Sequence, residues 1–179
     1  MNILITGSPG VGKTTLIRRV LEGMSGEVGG FYTEEIREKG IRNGFKVTNF
    51  DGQEGILAHV DIESPFRVGK YGVDIEVFER LGASAVERAV REGKTVVIDE
   101  IGKMELHSAR FRSVVLSALD GGSLVLATIG RISDPFVEKI KGRKDVHLLV
   151  VTSGNRDDLV SEVAKLVKDS RGGEDEDLL

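Results

Sequence analysis

The chain of 179 residues has no cysteine. That excludes disulfides and thiolate metal sites, and it fits a reducing compartment. It has no excess of positive charge: 25 Lys and Arg against 29 Asp and Glu leave a net charge of −4. No global field therefore draws it to nucleic acid. No apolar run is long enough to span a bilayer. The N-terminus has neither a basic region nor a cleavable apolar segment and opens directly into a strand, from which a cytoplasmic protein is expected. There is no internal repeat. The three histidines, His59, His107 and His147, show no ligand spacing and are expected to be non-catalytic.

What is present is ordinary in amount and specific in order. Hydrophobic residues make up 40% and charged residues 30%, enough for one domain with a real core. Near the N-terminus stands Gly7-Ser8-Pro9-Gly10-Val11-Gly12-Lys13-Thr14, which reads G-x-x-x-x-G-K-[ST], the Walker A or P-loop pattern. Asn2 to Thr6 before it is a β-branched apolar run suited to a buried strand. Leu16, Ile17, Val20 and Leu21 after it recur at helical spacing. Strand, tight loop, helix is the context the pattern requires. The glycines let the backbone approach a ligand closely, and the loop and helix N–H groups form an anion site. Lys13 is placed to reach the β- and γ-phosphates, and the Thr14 hydroxyl to bind Mg²⁺. Gly7, Ser8, Pro9, Gly10, Val11, Gly12, Lys13, Thr14 and Thr15 are the candidate nucleotide-contacting residues of this stretch.

Further along, the spacing predicts alternating strands and helices. The first helix is expected to end near Gly23 and a strand to cover Val28 to Tyr32, with a turn between Lys39 and Asn43. Asp51-Gly52 reads as a type I′ hairpin turn. About residues 37–73 are expected to form a small antiparallel insertion. Asp74 is a helix cap, and the helix that follows should bend or divide at Gly82. Strands are expected at Thr95 to Asp99, Leu124 to Thr128 and Val146 to Val151, separated by helices. Residues 170–179, small and acidic, are expected to be a disordered tail, leaving 1–169 as the domain. Strands alternating with helices imply a mostly parallel sheet covered on both faces, with ligands at the carboxyl ends of the strands.

Asp99-Glu100 closes one of those strands. An acid there is a Walker B candidate, able to hold Mg²⁺ opposite Thr14. Glu100, one residue further into the crevice, is placed to polarise the water that attacks the γ-phosphate. The run Asp99-Glu100-Ile101-Gly102-Lys103-Met104-Glu105-Leu106 resembles the signature of the cancer-related nucleoside-triphosphatase family, small thermostable P-loop enzymes. Gly30 to Arg37, Gly69 to Asp74, Ala127-Thr128-Ile129 and Asn155-Arg156-Asp157 agree with it in order. The resemblance implies an α/β fold of three layers related to the RecA-like P-loop NTPases. It also implies Mg²⁺-dependent hydrolysis of several nucleoside triphosphates with loose base selectivity.

Other residues carry weaker signals. Lys103 either neutralises phosphate charge or is a surface lysine. Thr128 either contacts the attacking water or bonds to backbone. Arg37, Arg131 and Arg156 are candidates for an arginine that stabilises transition-state charge in cis. Asn155 and Arg156 follow the last strand, where a base-contacting loop can form, although Asn155 also reads as a helix cap. Phe31-Tyr32 and Tyr71-Gly72 read as packing, as do Met24 and Met104. Three functions fit: a slow broad-range NTPase acting through Lys13 and Glu100, a nucleoside or nucleotide kinase with residues 37–73 as a lid, and a nucleotide-dependent switch.

Overall fold

A computed structural model describes residues 1–172. Strand β1 (Asn2–Gly7) is buried along its whole length, and its alternate side chains serve opposite faces of the sheet. Ile3 and Ile5 pack with Leu16, Ile17 and Val20 of α1 (Lys13–Glu22) and with Leu159, Val163 and Val167 of α6 (Arg156–Gly172). Leu4 points the other way, into the larger cluster. That cluster is covered by α2 (Ile75–Phe78), α3 (Ser84–Arg91), α4 (Ala109–Asp120) and α5 (Pro135–Lys141). The period-2 alternation of β1 thus dictates the three layers.

Among the described residues one nine-stranded sheet runs in the order β5-β6-β4-β3-β2-β7-β8-β1-β9. The parallel part comprises β2 (Val28–Glu38), β7 (Thr95–Ile101), β8 (Val125–Ile129), β1 and β9 (Val146–Val151). The antiparallel part is β3 (Ile41–Asn49), β4 (Glu54–His59), β5 (Arg67–Val68) and β6 (Tyr71–Val73). Strand β2 joins the two: residues 28–31 pair with β7 in parallel, and residues 31–38 pair with β3 in antiparallel.

The turns differ from expectation in location. Lys39 and Gly40 have φ of 50° and 79° and make the two-residue turn between β2 and β3, so the turn is shorter than residues 39–43. At Asp51-Gly52 only Gly52 has positive φ, +85°, so this is not a type I′ turn. Asn49 organises it instead, its Oδ1 accepting from the N–H groups of Asp51 (3.2 Å) and Gln53 (3.0 Å).

Asp74 caps as expected, its Oδ1 accepting from Val77 N–H at 3.0 Å. The α-helix after it divides around Gly82, as expected, into α2 and α3. A π-helical turn (Glu79–Ala83) links α2 to α3 without interruption. A Cβ at Gly82 would lie 2.6 Å from the Phe78 ring, so the glycine admits that ring rather than ending the helix. Phe78 meets Phe31 and Phe111 edge to face, with centroids 5.3 Å and 4.9 Å away. Such pairs contribute about 0.5–1.5 kcal/mol each beyond area burial.

Two further differences concern the margins. On the edge strand β9, Leu148 and Val150 are 36% and 53% exposed. The last helix continues to Gly172 rather than stopping at 169, with Ser170 Oγ donating back to Val167 O at 2.7 Å. The remainder of the expected acidic tail, residues 173–179, lies outside the described residues.

Candidate active site

The strand order places β8 between β1 and β7, so the Gly7–Thr14 loop and the Asp99–Glu100 pair meet across one intervening strand. Each element is built for close approach at its carboxyl end. A Cβ on Gly7 would lie 2.7 Å from Val151 O of the neighbouring β9. Gly12, with φ of 107°, precedes α1 in a left-handed conformation that side chains rarely adopt. The first turn of α1 has no side-chain cap and no acidic residue, so its N–H groups are available to an anion. Lys13 Nζ lies back over the loop, donating to Gly7 O (3.1 Å) and Ser8 O (3.3 Å).

On β7 the pairing with β8 shifts register between Ile98 and Ile101, and the intervening Asp99–Glu100 peptide is cis. Asp99 is 3% exposed and Thr128, on β8, is fully buried. The Thr128 hydroxyl donates to Asp99 Oδ1 at 2.6 Å, so its partner is the carboxylate and not backbone. The Thr14 hydroxyl also bears on this carboxylate. Asp99 Oδ2 is buried and makes no hydrogen bond of ordinary geometry among the described residues. An orphaned buried carboxylate oxygen beside a threonine hydroxyl is a donor set that suits a hard cation. No cluster of three or more His, Cys, Asp or Glu among the described residues is arranged to hold a metal. A Mg²⁺ held by one or two protein oxygens, phosphates and water needs none.

Burial raises Asp99 above the ordinary carboxylate range, against the hydrogen bonds from Thr128 and Thr14 and the charges of Lys13 and Arg18. Glu100 is also raised, by burial first and by Asp99, while Lys13 pulls it down. Lys13 therefore acts on both acids, which ties the two halves of the site to one point in space. Such a constellation can neutralise polyphosphate charge and hold a water against a carboxylate.

The remaining candidates separate clearly. Arg131 Nη1 lies 3.3 Å from Ser8 Oγ, and the Arg156 side chain runs beside Gly12, 3.8 Å from where a Cβ would sit. Both approach the loop. Arg37 does not; it is paired with Glu35 on β2 at 2.6 Å. Lys103 is exposed on the turn beyond β7. Asn155 ties its own loop together, accepting from Thr152 N–H (2.7 Å) and donating to Val150 O (2.9 Å). Tyr71 packs on Phe45 and bonds Arg42, away from the loop. His59, His107 and His147 fall on β4, on the turn before α4 and on β9.

Two residues at the site were not singled out from the sequence. Arg18, one helical turn after Thr14, bears on Asp99 while bonded to Glu34 at 2.7 Å. Glu105 is 4% exposed. Its signal was available: an acid between the apolar Met104 and Leu106, where a solvated side chain is not expected.

The comparisons agree on one family. Residues 2–164 match the family described as NTPase. Nucleoside-triphosphatase THEP1 of Thermotoga maritima is 51% identical over 172 residues, covering 96% of this chain and 98% of that protein. The human cancer-related nucleoside-triphosphatase is 40% identical, covering 95% of this chain and 98% of that protein. The crystal structure of THEP1 from Aquifex aeolicus superimposes with a TM-score of 0.85 at 37% identity, over 93% of this chain and 98% of the other. The solution structure of the human protein gives 0.80 at 39% identity, over 94% of this chain and 98% of the other. With a matching fold, near-complete coverage and a family match over most of its length, the chain belongs to the NTPase family.

Proposed function

We propose that this protein hydrolyses ATP, GTP, CTP and UTP to the diphosphate and phosphate, slowly, with Mg²⁺ and with little selection among bases. The observation that carries this reading is the convergence of Lys13 and Thr14 on Asp99 and of Lys13 on Glu100. In this reading Gly7, Ser8, Pro9, Gly10, Val11, Gly12, Lys13, Thr14 and Thr15 surround the phosphates, through the backbone N–H groups of all but Pro9 and through the Lys13 ammonium. Thr14 and Asp99 hold the cation, which when bound neutralises charge on the phosphate oxygens. Glu100 orients the attacking water and accepts its proton.

Two features support the finer terms. Arg131 and Arg156 are both exposed where they approach the loop. A solvated guanidinium stabilises transition-state charge less than a desolvated one, which accounts for slow turnover. The Asn155 amide is engaged at both ends by its own loop, which leaves it poorly placed to read a base.

The test is phosphate release with each of the four nucleotides, with and without Mg²⁺. Comparable rates for all four, abolished by chelation, are expected. Release from one nucleotide alone, or release that requires an added acceptor, overturns the reading. Thr128→Val probes the cation site separately. It removes a buried hydrogen bond to a charged group worth about 1.5–3 kcal/mol. The half-saturating Mg²⁺ concentration should rise roughly tenfold or more. An unchanged Mg²⁺ titration would remove Thr128 from the site.

A further inference from the structure

Glu105 is buried although its neighbours Met104 and Leu106 pack against the core as apolar side chains. It opens the short 3₁₀ turn after β7 (Glu105–His107), and its carboxyl faces the backbone N–H groups of Gly102 and Glu105 itself. Its charged neighbours are acids, Glu100 first and then Asp99. Gly102 shows how close the first of these is. A Cβ there would lie 2.7 Å from Glu100 Oε1 and 3.0 Å from Glu105 Oε2. Both carboxyl groups thus converge on the space that this glycine leaves open. Two ionised carboxylates side by side in a buried site repel, and neither is solvated well enough to relieve the repulsion. A proton on one of them turns the repulsion into a hydrogen bond. Burial, with the Glu100 and Asp99 charges, holds Glu105 well above the ordinary carboxylate range.

We propose that Glu105 is a positioning residue: its carboxylic acid donates a hydrogen bond to the Glu100 carboxylate and fixes the direction in which Glu100 presents its free oxygen to the attacking water. This rests on the reading of Glu100 given above. No bond to substrate is made or broken at Glu105. It acts through Glu100 alone, so it changes turnover and leaves nucleotide binding as it was.

Three variants with ATP separate the possibilities. Glu105→Gln keeps a donor of the same length, and its turnover should stay within about threefold of wild type. Glu105→Met keeps the length and loses the donor. Its turnover should fall at least tenfold at an unchanged KM. Glu100→Gln, measured alongside, should be slow. If Glu100→Gln turns over normally, the reading of Glu100 fails first. If it is slow and Glu105→Met equals wild type, Glu105 only fills space and this inference alone fails. If Glu105→Gln is as slow as Glu105→Met, Glu105 is not a donor and the inference also fails. Infrared spectroscopy of the wild type and Glu105→Gln decides even if Glu105→Met does not fold. A carbonyl stretch of a protonated, buried carboxylic acid should be present in the wild type and lost in Glu105→Gln. A wild type without that band overturns the proposal.

Discussion

Glu100→Gln is expected to bind nucleotide with near-wild-type affinity and to turn over on the order of 10²–10⁴ times more slowly, the usual contribution of a positioned general base. The amide has the same shape as the carboxylate and can still orient a water, but it cannot take its proton. Glu100 stands at the end of β7, where burial and Asp99 raise it and Lys13 lowers it. Raising a carboxylate from its ordinary range makes it a stronger base at neutral pH. Losing it should therefore affect the chemical step and spare the ground-state complex. Single-turnover phosphate release at saturating Mg²⁺ and ATP measures the step, and titration with a non-hydrolysable analogue measures binding. Wild-type release would remove Glu100 from the chemistry. A matching loss of affinity would instead make it a cation or phosphate ligand.

Lys13→Ala should affect binding and chemistry together. The ammonium already lies over the loop, bonded to Gly7 O and Ser8 O, so it needs little reorganisation to meet a phosphate. It is also the charge common to Asp99 and Glu100. Its removal takes away charge-assisted hydrogen bonds worth about 1.5–3 kcal/mol each. Two of them correspond to a fall in kcat/KM on the order of 10²–10⁴. Folding should be spared, because the bonds Lys13 makes are to its own loop. Steady-state kinetics with a thermal melt of the unliganded variant checks both halves. Wild-type kcat/KM would detach the loop from the mechanism.

The local elements of this fold were legible because each carried its own physical mark. The Gly7–Thr14 pattern and the Asp74 cap are set by residues within a few positions of one another. Strand order was not legible, because nothing near Asp99 encodes which strand lies beside β7. Thr128 alone therefore offers two readings, a contact to the attacking water or a bond to backbone, and neither names the Asp99 carboxylate that its hydroxyl meets. Gly82 marked the division of the helix, but its reason was hidden for a related cause. Its role is set by the distant partners of Phe78, Phe31 and Phe111, and not by the helix that contains it. Among the arginines, sequence gave three equal candidates. The topology separated them by carrying Arg37 out along β2 and bringing Arg131 and Arg156 back to the loop. Glu105 between Met104 and Leu106 carried a signal of burial, but its partner did not, because a carboxyl–carboxyl approach across Gly102 has no signature in spacing.

Strand β2 serves both halves of the sheet, in parallel with β7 and in antiparallel with β3, and Val47, Leu57 and Val73 from the antiparallel half share a cluster with Leu4 and Val96 from the parallel half. No seam therefore divides them. Peeling β3 to β6 away would strip the ladder from β2 and expose apolar surface on both sides at once, so that half is expected to melt with the rest in one cooperative step. A lid must open at little cost, and a segment fused in this way cannot do so.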